Sequence, residues 1–108
     1  MSSESPYLDY VLELLAPHGE VRSKRFFGGT GLLAHGQQFG MVMKDALYFC
    51  VSAGNRRHFE ARGMGPFSYA TRKGRVEVKR YYEVPADVIE EPELLREWLH
   101  RAMGDAAG

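Results

Sequence analysis

A single cysteine, Cys50, stands among the 108 residues, so no disulfide can form within the chain. It lies in the apolar run Leu47-Tyr48-Phe49-Cys50-Val51, and a lone thiol in such a run fits a reducing compartment. Net charge is missing too. The 14 basic residues balance 14 acidic ones, which removes the global field that draws a protein to nucleic acid or to an anionic membrane. No apolar run approaches the length of a membrane span, and Met1-Ser2-Ser3-Glu4-Ser5-Pro6 has neither the basic start nor the apolar stretch of a signal peptide. The expected location is therefore the cytoplasm, without a membrane partner.

Metal-ligand spacings are absent as well. His18, His35, His58 and His100 stand far apart and pair with no cysteine or carboxylate as HxxxH or CxxC motifs do, so no metal is expected. Ser23, Ser52 and Ser68 lack a nucleophile-elbow setting, and Cys50 lacks a neighbouring base. Glu90, Glu91 and Glu93 cluster where a helix begins, and the helix dipole accounts for them without acid–base catalysis.

What remains is an ordinary globular composition. Hydrophobic residues make up 44% and charged residues 26%, too apolar a balance for a disordered chain. The length suits one domain over 1–108, with an ordered core over about 5–103 and a flexible tail at 104–108. Charge is unevenly placed. Met1 to Glu20 holds four acids and no base, Val21 to Asn55 four bases and one acid, Arg56 to Arg80 eight bases and two acids, and Tyr81 onward two bases and seven acids. Acidic ends flank a basic middle. Either the terminal helices screen a basic sheet or a basic surface stays open on one side, and screening is the expectation.

Ser5-Pro6 supplies an N-cap and a first-turn proline, after which Leu8, Val11, Leu12 and Leu15 mark one helix face. The helix should stop near Ala16, ahead of Pro17 and Gly19. Val21 to Phe27 reads as extended up to a turn or bulge at Gly28-Gly29, and Thr30–Ala34, Phe39–Met43 and Leu47–Val51 as three strands of an antiparallel meander. Ser52 can cap a helix reaching about Arg62, anchored by Phe59 and ended by Gly63 in the left-handed conformation. Pro66–Ala70 and Val76–Val84 form a hairpin around Thr71-Arg72-Lys73-Gly74-Arg75. A last helix from Pro92 presents Leu94, Leu95, Trp98, Leu99 and Ala102, with Gly104 beyond its end. The fold class is α+β: an antiparallel sheet of about five to six strands with helices packed on it, in the order α-β(4)-α-β(2)-α.

Two segments invite a binding hypothesis. Phe27-Gly28-Gly29-Thr30-Gly31 has the glycines of a phosphate cradle, but a strand follows where a P-loop or dinucleotide fingerprint needs a helix, so a positive-φ turn is the simpler reading. Arg72, Lys73, Lys79 and Arg80, interleaved with Tyr69, Tyr81 and Tyr82, pair cations with stacking faces. Lys24, Arg25, Gly28 and Gly29 complete the candidate surface for a nucleic acid or small anion.

Six segments resemble the TfoX N-terminal domain family: Arg25-Phe26-Phe27-Gly28-Gly29-Thr30-Gly31, Leu47-Tyr48, Phe59-Glu60-Ala61-Arg62-Gly63, Pro66-Phe67-Ser68-Tyr69, Tyr81-Tyr82-Glu83-Val84-Pro85 and Pro92-Glu93-Leu94-Leu95-Arg96-Glu97-Trp98. They occur in order over nearly the whole chain. Phe26 stands where methionine is usual, and Cys50 where lysine is common; the second departure removes a charge. The resemblance implies an antiparallel sheet carrying helices, in a family named after bacterial regulators of natural competence, and it brings no catalytic residue or cofactor. The expected role is a non-enzymatic regulatory module with a protein partner. Nucleic-acid or small-anion binding is the alternative, and an enzyme assembled from distant segments the third reading. Edge strands leave a homodimer open.

Overall fold

The computed structural model describes residues 6–26 and 28–107. The expected cap at Ser5 and the end of the first extended segment at Phe27 lie outside the described residues. Six strands form one sheet: β1 (Arg22–Phe26), β2 (Gly29–Ala34), β3 (Gln37–Met43), β4 (Ala46–Cys50), β5 (Pro66–Thr71) and β6 (Gly74–Glu83), in the spatial order β1-β2-β3-β4-β6-β5 with all neighbours antiparallel. The meander extends through β4, and β6 returns to pair with it, which leaves β1 and β5 as the two edges. Turn chemistry sets this register. His35 and Gly36 take φ of 54° and 78°, the pair of left-handed residues that a two-residue hairpin loop requires, and Lys44 takes 55° in the next turn.

Helices α1 (Pro6–Leu15), α3 (Ala86–Glu90) and α4 (Pro92–Ala107) cover one face of the sheet. Leu8, Val11 and Leu15 of α1, Val88 and Ile89 of α3, and Leu95, Trp98, Leu99 and Ala102 of α4 pack with Leu32, Phe39, Leu47, Phe49 and Tyr82 of the strands and with Val84 just past β6. The short helix α2 (Arg56–Glu60) inserts Phe59, whose ring meets that of Trp98 edge to face at 4.7 Å between centroids. The apolar periodicities of the first and last helices thus point where the sequence places them.

Three details differ from expectation. The second helix is only five residues long, because Ser52 caps a turn ahead of it: the Asn55 N–H donates to Ser52 Oγ at 3.2 Å, and the Asn55 and Arg56 N–H groups both donate to the Ser52 carbonyl. Its end is as expected. Gly63 adopts φ 78°, and the Gly63 and Met64 N–H groups donate to the carbonyls of Glu60 and Phe59, closing a Schellman motif. Helix α3 was not foreseen. It is separated from α4 by the extended Glu91 (φ −109°, ψ 106°), a geometry that Pro92 imposes on the residue before it. Helix α4 does not end before Gly104 but continues through Ala107, so residues 104–107 are helical rather than a loose tail. Asp105 is tied into the fold, its Oδ2 accepting the Ser52 N–H at 3.2 Å and the Asn55 side-chain amide at 2.8 Å.

A candidate binding face on the sheet

The face of the sheet opposite the helices carries a second, smaller apolar cluster. Met41 and Cys50 are fully buried and Tyr81 is 8% exposed, with Phe26, Met43, Tyr48, Phe67 and Val78 packed around them and Ala106 at the end of α4 reaching the same cluster. The sheet curls over this face. Phe26 on edge strand β1 and Tyr81 on β6 have ring centroids 6.2 Å apart although β2, β3 and β4 lie between their strands. Register shifts between Leu32 and Leu33 in β2 and between Pro66 and Phe67 in β5 supply the bends, since a bulge increases local twist.

Glycine makes the curl possible. Gly29 and Gly31 sit on this face, and a Cβ on Gly29 would collide with Met43 Sδ and lie 2.5 Å from the Val42 carbonyl, while one on Gly31 would meet the Gln38 side chain. Only Gly28, with φ 80°, forms a turn. The expected turn is therefore present, and the glycines beside it are strand residues that let neighbouring side chains cross their backbone.

The hairpin extends the apolar surface outward. Phe67 pairs with Val78 and Tyr69 with Val76, so alternation puts all four on one face. Tyr48 stacks edge to face on Phe67 at 5.3 Å, and the series ends in Tyr69 and Val76, 41% and 39% exposed. Tyr82, read from the sequence with this aromatic set, is on the helical side, nearly fully buried and donating its hydroxyl to Glu60 at 2.8 Å. Of the three tyrosines interleaved with the basic run, Tyr69 alone is exposed.

Lys24, Arg25, Arg72, Lys73, Lys79 and Arg80 are all exposed, and none forms an ion pair with another described residue. The expectation that terminal helices screen a basic sheet is not met: these cations are exposed, and the ion pairs that helix carboxylates form among the described residues, Asp87 with Arg62 and Glu97 with Arg101, involve other bases. These cations fall into groups. Lys24, Arg25, Gly28 and Gly29 line one cleft of about 660 Å³ beside the start of α1, with Lys44 and Asp45 across from them. Arg72 and Lys73 form the turn of the β5–β6 hairpin, while Lys79 and Arg80 lie on the stretch of β6 that the β5 register skips. The eight residues named from the sequence thus do not converge on a single pocket. Lys44 and the apolar series through Tyr48, Phe67 and Val76 were missed; the alternation of Phe67-Ser68-Tyr69 against Val76-Glu77-Val78 was the available signal.

Cys50 is beneath this face rather than on it. Burial pushes its thiol up, outweighing the nearby Arg80 guanidinium, so it stays protonated at neutral pH. Burial likewise raises the phenols of Tyr48 and Tyr81. Among the described residues no group of histidine, cysteine and carboxylate side chains has the arrangement of a metal site, and no helix is long and apolar enough to cross a membrane.

The family model described as the TfoX N-terminal domain matches residues 13–106, nearly the whole chain. No curated protein matches it significantly.

Proposed function

The chain belongs to the TfoX N-terminal domain family, and from that premise we propose that it is a non-enzymatic regulatory module that binds a partner through the sheet face opposite its helices. One observation carries the reading. An apolar, aromatic surface running from Phe26 and Tyr48 to Tyr69 and Val76 has exposed cations at its margins, Lys24 beside Phe26 on β1 and Arg72 and Lys73 at the hairpin turn beyond Tyr69, and they pair with no described carboxylate. Apolar anchors with a charged rim are what an interface needs: the anchors supply affinity, and the rim steers encounter and selects an acidic partner. The opposite face is spent on holding α1, α3 and α4.

A nucleic acid is the second reading, favoured by exposed Tyr69 beside Arg72 and Lys73, since bases stack on aromatic rings while phosphates meet cations. Fluorescence anisotropy separates the two. Labelled polyglutamate and labelled oligothymidylate are titrated with the protein at low and physiological salt, alongside an Arg72→Glu/Lys73→Glu variant and a Glu93→Lys control on the helical side. Binding that the hairpin variant loses and the control keeps supports this face as the working surface. If neither polyanion binds at low salt, the reading fails.

A further inference from the structure

We infer that the partner is an extended acidic segment of another protein, which adds to the sheet as a seventh strand along β5. This deepens the proposed function and rests on it. The edge strands differ. On β1, Arg22, Lys24 and Arg25 line the edge with exposed charge, the usual device against pairing with another chain. Strand β5 lacks that charge, and its Pro66 and the bulge beside it blunt only its first residue, leaving Phe67–Thr71. From Met64 to Thr71 there is no charged residue, the strand is six residues long, and it pairs with β6 on one side only. Its backbone is a template for an incoming strand, and Phe67 and Tyr69 offer apolar contacts to every second side chain of that strand.

Charge selects the occupant. Arg72 and Lys73 close one end of β5, while Lys79 and Arg80 lie across it on β6, away from the free edge. A carboxylate on the added strand at the hairpin end meets Arg72 and Lys73. A second copy of this chain is the poorer fit: laid parallel, the two hairpin turns would set Arg72 and Lys73 against their own counterparts, and laid antiparallel, they would face the uncharged Met64–Phe67 end and meet no carboxylate.

The test uses the intact protein and a fluorescein-labelled peptide of alternating glutamate and valine, the same peptide N-methylated at alternate backbone positions, its lysine–valine counterpart, and oligothymidylate. Binding of the acidic peptide, weakened about tenfold or more by N-methylation and by Arg72→Glu/Lys73→Glu, is the expected result. Slowed exchange of β5 amides in the complex is expected with it. Equal binding of the N-methylated peptide overturns strand addition, because side-chain charge alone would then suffice. Oligothymidylate displacing the acidic peptide at lower concentration overturns the choice of a protein segment while leaving the binding face intact. Sedimentation showing a dimer with β5 amides already protected assigns the edge to a second copy and overturns the inference. No binding by any anionic probe defeats the proposed function itself.

Discussion

Phe26 and Tyr81 hold the sheet in its curl: their rings meet edge to face at 6.2 Å across an interval that four strand spacings would make about 19 Å in a flat sheet. The contact bends β1 over Met41 and Cys50, and it makes the face opposite the helices a shaped surface backed by a small core of its own. Replacing Tyr81 by Ala is expected to cost about 3–5 kcal/mol by removing the centre of that core, and urea denaturation checks it.

On the other face, Trp98→Ala should be comparably damaging. The indole is 6% exposed, packs on Phe59, and carries Arg62 over its ring at 5.7 Å. A loss of about 3–5 kcal/mol is expected, and a variant that melts like the parent would contradict the placement.

Two glycines separated by one residue should differ sharply. Gly29→Ala drives a Cβ against the Val42 backbone carbonyl as well as Met43 Sδ, so about 1–3 kcal/mol is expected from overpacking. Gly31→Ala meets only the Gln38 side chain, whose end can swing away, and should cost much less. Thermal melts of the two variants rank them.

Stability should fall in alkali. The Cys50 thiol and the Tyr48, Tyr81 and Tyr82 phenols are all raised, by burial first, and in Tyr82 also by its bond to Glu60. The folded chain keeps these protons to higher pH than the unfolded chain does, so unfolding is favoured as pH rises. Their contribution is constant below about pH 8.5, where the unfolded thiol begins to ionise, and declines above it, further once the unfolded phenols titrate near pH 10. Denaturant midpoints measured from neutral pH upward should show that decline, and a flat profile would contradict the burial of these groups.

Asp105 fastens the end of α4 to the segment before α2. Asp105→Ala removes the acceptor for the Ser52 N–H and the Asn55 amide, and a loss of about 1–3 kcal/mol is expected in chemical denaturation.

Local chemistry made much of this fold legible. The apolar spacing of Leu8, Val11 and Leu15 and the helix stop at Gly63 each depend on residues a few positions apart, and each appears as expected. Bonds across long separations were beyond such reading. Asp105 meets Ser52 over 53 residues, and that tie holds Gly104 within α4 rather than past its end. The split of Tyr81 and Tyr82 onto opposite faces could be inferred from strand alternation, but which of them met the helices depended on the path of β6 beside β4. The basic residues are exposed, yet their grouping into a cleft, a hairpin turn and a bulge follows from sheet order, which no local pattern encodes.

The most direct test of the sheet face as the working surface is amide chemical-shift mapping by NMR with saturating polyglutamate. Perturbations are expected along β1, β5 and β6, concentrated at Lys24, Arg25, Tyr69, Arg72, Lys73, Lys79 and Arg80, with α3 and the first turns of α4 unmoved. Perturbations confined to the helices would contradict it.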